Sequence, residues 1–182
     1  GPQSTSVGRW IMTCSLSGRF VDFEAGFSHA DALGGDMTAL VRDVRTHTLV
    51  RDVLVDLPGR DGVRDFLARD GDVLRVYESN GVDTRVADRS EKATLNRASS
   101  GETEYVLQMP RTSGFLHVRV ADPHQGKRKL ASVIRSDGKR IKQANAWLSK
   151  TRKADPTQGW NHHINLFDAN TPGTYQLSFR DA

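Results

Sequence analysis

The chain has one cysteine, six prolines and few aromatic residues, 7% of its 182 positions. Each scarcity removes an option. A lone Cys14 excludes an internal disulfide framework and a thiolate metal cluster. It sits in the apolar run Trp10-Ile11-Met12-Thr13-Cys14-Ser15-Leu16, where a buried free thiol is the simplest reading. No apolar run reaches the roughly 18 residues of a helical membrane span. Signatures of enzymes are missing too: there is no G-x-S-x-G elbow, no Gly-rich phosphate loop, no H-E-x-x-H and no zinc-deaminase pattern. No finger, helix-turn-helix, RNP or KH motif is legible, and aromatics do not interleave with basic residues as a base-stacking platform would need. Nucleic acid is therefore not an expected partner, and no cofactor or metal is implied.

What is present points to a folded β protein. Hydrophobic content is 37%, low for a globular chain, yet 16 glycines punctuate recurrent short apolar segments. Gly1-Pro2 reads as the remnant of tag removal and is kept out of the fold reading. A hairpin is expected over 9–27, a loop over 28–37, and a pair of strands over 38–45 and 48–57, with a helix the rival for 38–56. Pro58-Gly59-Arg60-Asp61-Gly62 is a turn, residues 63–68 a short strand or helical turn, and 71–77 and 83–88 a hairpin around Asn80-Gly81.

Residues 104–109 and 115–120 read as a further hairpin. The second of these strands alternates strictly, with Phe115, His117 and Arg119 on one side and Leu116, Val118 and Val120 on the other. Strands follow at 130–134, 164–167 and 174–179, with turns at Ser136-Asp137-Gly138-Lys139 and at residues 168–173. Residues 141–148 fit either two helical turns or an edge strand. The fold class is therefore all-β, an antiparallel sandwich, read as two small subdomains in tandem: 8–92, a polar linker 93–102, and 103–182.

Charge is unevenly placed. Residues 1–100 carry 13 basic and 15 acidic side chains, whereas Phe115 to Lys153 holds eleven Lys and Arg against Asp122 and Asp137, a local net charge of +9 in a chain of +4. Three loops concentrate it: 124–129, 136–142 and 149–153. In a sandwich such loops can gather at one end, forming a surface for an anionic partner. The candidate ligand-binding residues are Lys127, Arg128, Lys129, Lys139, Arg140, Lys142, Lys150, Arg152, Lys153 and Trp160. Of the two tryptophans flanking the last loop, Trp147 reads as core and Trp160, after Gly159, as the exposed one. His162 and His163 are adjacent, so in a strand they point to opposite faces and cannot share a metal. Asp168-Ala169-Asn170-Thr171-Pro172-Gly173 lacks the regular oxygen spacing of a calcium loop and reads as a turn.

The expected function is a non-enzymatic binding or adhesion module of a secreted, periplasmic or cell-surface protein. Its basic loops would engage an anionic polysaccharide, a lipid headgroup or an acidic protein surface. One alternative is an assembly domain that docks or oligomerises through strand edges. The other is a hydrolase with dispersed catalytic residues.

Overall fold

The computed structural model describes residues 45–182. The hairpin expected at 9–27, the loop at 28–37, almost all of the strand at 38–45 and Cys14 lie outside the described residues. Twelve strands and no α-helix make up the rest. The all-β expectation holds for the described residues, including 45–56 of the stretch 38–56 where a helix was a rival. Residues 48–53 are a strand, and residues 141–148 divide into a single 3-10 turn at Gln143–Asn145 and the start of another strand.

Three four-stranded sheets are stacked. The front sheet is a meander of β1 (Thr48–Val53), β2 (Asp65–Asp70), β3 (Val73–Tyr77) and β4 (Asp83–Arg85). The remaining strands in chain order are β5 (Ala87–Asp88), β6 (Thr94–Arg97), β7 (Glu104–Gln108), β8 (Thr112–Ala121), β9 (Arg128–Arg135), β10 (Ala146–Arg152), β11 (Trp160–Thr171) and β12 (Thr174–Asp181). The middle sheet has the order β10-β11-β8-β5 and the back sheet β6-β7-β12-β9. All pairings are antiparallel except β5 with β8.

The period of two in β8 and β11 explains the stacking, because it gives the middle sheet two apolar faces. Leu116, Val118, Ile164 and Leu166 face back, where they pack with Leu107, Val133, Tyr175, Leu177 and Phe179. Phe115, Phe167, Ala169 and Trp147 face forward onto Val53, Leu67, Leu74, Val76 and Val86. Phe115 and Phe167 stack with centroids 5.7 Å apart. Burying each such side chain stabilises the fold by roughly 1.5–3 kcal/mol, so the weakly apolar front meander is held through its contact with the middle sheet.

Polar side chains reinforce the joints between layers. The Asn145 amide brackets Leu54, accepting from its N–H and donating to its carbonyl, both at 2.8 Å, and so ties the front sheet to the start of β10. Asp65, buried in β2, accepts from the backbone N–H groups of Val55 (2.7 Å) and Ser79 (3.0 Å).

One expected pairing is corrected. β7 and β8 do not form a hairpin: β7 belongs to the back sheet and β8 to the middle one. Pro110 and Arg111 carry the chain between layers at a point where Gly173 (φ +104) lies so close that a Cβ there would overlap the Met109 carbonyl. The chain between 87 and 97 contributes edge strands to both layers, β5 to the middle sheet beside β8 and β6 to the back sheet beside β7.

Candidate functional site

The three basic loops occupy two ends of the sandwich. The loop at 122–127 leaves β8 after Ala121, whose register partner is His163 near the start of β11. Of the run 149–153 expected as a loop, residues 149–152 are instead the end of β10, and 153–159 joins it to β11, with Arg152 opposite Trp160 and Lys150 opposite His162. These two therefore share an end. The turn at 136–142 follows the last residue of β9, where Ser136 donates to the Thr174 carbonyl beyond the far end of β11. β11 has 12 residues, so roughly 35 Å separates the two ends.

At the far end the basic residues are turned to cohesion. Asp168, nearly fully buried, accepts from the Lys139 ammonium (2.9 Å), the Arg135 guanidinium (3.0 Å) and the Tyr175 hydroxyl (2.9 Å). Lys139 also donates to the Asp56 carbonyl at 3.1 Å and lies 3.4 Å from its carboxylate. Arg135 forks onto Asp137, which brings that carboxyl down to about 2. Burial first, and then the Asp168 charge, push the Tyr175 hydroxyl well above the ordinary tyrosine range. Arg140 and Lys142 are exposed at this end and are not brought near the other candidates.

The near end is built differently. Asp122 is buried and its carboxylate organises the loop that follows, accepting from the N–H groups of His124 (2.9 Å) and Gly126 (2.7 Å), while its own N–H donates to the His162 carbonyl. Gln125 and Gly126 both take positive φ, and a Cβ on Gly126 would stand 2.5 Å from the His162 ring. The loop is thereby pressed onto β11, and Lys127, Arg128 and Lys129 emerge from it. Lys127 and Lys129 are exposed, and Arg128 lies 3.7 Å from Asp181.

Beside them the antiparallel register puts Lys150, Arg152, Trp160 and His162 on one face. The Lys150 ammonium sits 4.6 Å and the Arg152 guanidinium 4.8 Å from the Trp160 ring centroid. The indole remains 40% exposed. Lys153 is half-buried where the loop closes on Gly159. One acid stands in the same loop, Asp155, held below the usual carboxylate range by the Thr157 hydroxyl and N–H.

The opposite face of the same strands is polar. The Thr151 hydroxyl and His163 Nε2 are 3.2 Å apart, and Asn165 donates to the Ser149 hydroxyl at 2.8 Å. His162 and His163 thus face opposite ways, one against Gly126 and the other toward Thr151. Among the described residues no three His, Cys, Asp or Glu side chains converge as a metal ion would require. Trp147 is core, as its sequence context implies, stacked on His117 with centroids 5.8 Å apart and covered by the Arg51 guanidinium.

Sequence reasoning missed two participants. His162 is the joint between the two near-end loops, a role visible only once β10, β11 and the 122–127 loop are in register. Asp122, an acid inside a basic run, shapes that run from within; its signal is the Asp-Pro-His-Gln-Gly turn sequence. Comparison of the chain with family models finds no match, and neither does comparison with curated proteins or with solved structures.

Proposed function

We propose that the chain is a non-enzymatic binding module that engages an anionic polysaccharide through the near end of the middle sheet, as part of a secreted, periplasmic or cell-surface protein. The observation that carries this reading is Trp160, a partly exposed indole with two cationic heads within 5 Å of its ring. The two cations lie over the indole and offer charge to a sugar's carboxylate or sulfate groups, while the exposed remainder of the ring offers apolar surface. Lys127 and Lys129 extend the same positive potential away from the indole, which suits a chain of charges better than a single one. The ligand-binding set is accordingly Lys127, Arg128, Lys129, Lys150, Arg152, Lys153 and Trp160, with Lys139, Arg140 and Lys142 set aside.

The test is calorimetric titration with polygalacturonate, heparin and uncharged dextran at two salt concentrations. The reading expects salt-sensitive binding of at least one acidic glycan and none of dextran. Trp160→Ala and the double change Lys150→Ala, Arg152→Ala should each weaken it about tenfold or more. Equal binding by these variants, or binding to phosphatidylserine vesicles with no binding to either acidic glycan, would overturn it.

A further inference from the structure

A charged crevice lies at the other edge of the middle sheet, where the chain leaves the front sheet. β4 ends at Arg85, Val86 bonds back to the Leu74 carbonyl at 2.8 Å, and β5 then pairs with β8. Because the two sheets diverge at this crossing, a cavity of about 320 Å³ opens between them. Leu74 and Val86 are buried apolar residues in its wall, and Arg69, Asp72, Arg85 and Asp88 supply most of its charge. Crevices at such junctions are common places for small ligands, and this volume falls at the lower end of their range.

The charges are set as a recognition site would need. Arg69 and Arg85 form no ion pair among the described residues. Arg85 is the direct cross-strand partner of Arg75, a like-charge pairing that costs stability. Arg75 is paired with Asp83 at 2.7 Å, so among the described residues the charge left without an ion pair is that of Arg85. Asp88 is fixed by the N–H and hydroxyl of Ser90 and is the cross-strand neighbour of His117. His117 is 4% exposed, and among the described residues its ring nitrogens have no close hydrogen-bond partner, the Asn165 side chain being the nearest influence of that kind. His117 does not line the cavity; it lies behind Asp88, stacked on Trp147, and would sense a ligand through that carboxylate.

We infer that this cavity binds a small acidic sugar, a molecule carrying one compact oxyanion and several hydroxyls. Two guanidinium groups suit the oxyanion, whether phosphate or carboxylate. The Asp72 and Asp88 carboxylates accept from hydroxyls and repel a bare polyanion. A neutral sugar brings no charge to the arginines, which outnumber the carboxylates in the lining. This site does not depend on the near-end surface and shares none of its residues.

The experiment titrates the whole chain with glucose 6-phosphate, glucuronate, inorganic phosphate and glucose, read by calorimetry and by the His117 imidazole resonances. Saturable binding of glucose 6-phosphate, of glucuronate or of both is expected, and which of them binds distinguishes a phosphate from a carboxylate. The His117 signals should shift along with it. Arg69→Gln and Arg85→Gln, both at exposed positions that leave folding intact, should each weaken binding about tenfold or more. The Lys150→Ala, Arg152→Ala variant should bind as the parent does, which separates failure here from failure of the polysaccharide reading. Inorganic phosphate or glucose binding as tightly as the acidic sugars would overturn the inference. So would the absence of saturable binding by both acidic sugars at millimolar concentration, or unchanged binding in both arginine variants.

Discussion

Lys139 donates to Asp168 at 2.9 Å, joining the most basic part of the chain to a carboxylate that is almost completely buried. A cation that looks available in the sequence is thereby committed to cohesion. Removing one partner of a buried pair is costlier than the pair is stabilising, because the survivor keeps its desolvation penalty. Asp168 retains Arg135 and Tyr175 when Lys139 is lost, so Lys139→Met should cost about 1–3 kcal/mol. Asp168→Asn leaves two cations facing a neutral amide and should cost about 3–5 kcal/mol. Urea unfolding of both variants checks the order; a Lys139→Met protein as stable as the parent would remove the pair from the account.

Binding should follow the same division. Arg140→Ala and Lys142→Ala change exposed charges at the far end and should leave acidic-glycan affinity within about twofold. Lys127→Ala, at the near end, should weaken it and flatten its salt dependence. Matched titrations at low and physiological salt decide; a larger loss from Arg140→Ala than from Lys127→Ala would place the surface at the wrong end.

Two glycines test the joints. At Gly173 a methyl group meets backbone, the Met109 carbonyl, which cannot move without parting β7 from β12. At Gly126 it meets the His162 ring, a side chain that can rotate. Both carry positive φ. Gly126→Ala should therefore cost about 1–2 kcal/mol, and Gly173→Ala more than that. Thermal unfolding of the pair measures the difference, and equal losses would contradict the close approach at Met109.

His117 makes stability depend on pH. Burial holds its imidazole below the ordinary value of 6.5, outweighing the opposing pull of Asp88. As pH falls through 6.5 the unfolded chain takes up a proton that the folded chain refuses, so stability is lost from there down to the lowered folded value. The slope is up to about 1.4 kcal/mol per pH unit for one such group. His163 is shifted the same way, also by burial first. His117→Phe keeps a ring against Trp147 and should flatten the stability curve below pH 6.5; an unchanged curve would show that His117 is not its source. Asp137 acts lower down. Its folded value near 2 lies below the ordinary 3.8, so its contribution is present above 3.8 and disappears as pH falls toward 2.

Local pattern carried much of the fold. The alternation of Phe115, His117 and Arg119 against Leu116 and Val118 is the division between the two faces of the middle sheet. Asn80-Gly81 and Asp137-Gly138 are turns because their residues tolerate the required backbone angles. Layering was not legible. β7 and β8 are neighbours in sequence with a short polar link, which favours a hairpin on proximity alone, and only the approach of Gly173 to Met109 reveals the change of sheet. The site was legible by half. Trp160 and its two cations lie within ten residues of each other in a β-hairpin, so local spacing could gather them. Lys139 could not be assigned that way, because its partners Asp56 and Asp168 stand 83 and 29 residues off. Charge runs announce positive potential, but long-range pairing decides which members of the run remain at the surface.

β11 gives the fold a direction of strength. Trp160 begins the strand, and ladders with β10 on one side and β8 on the other grip it along most of its length. If Trp160 holds a ligand as proposed, a pull directed along the strand axis would run across hydrogen bonds that lie perpendicular to it. Those bonds share the load in shear instead of opening one after another like a zipper. A protein anchored elsewhere and tugged at that end would meet its stiffest axis first.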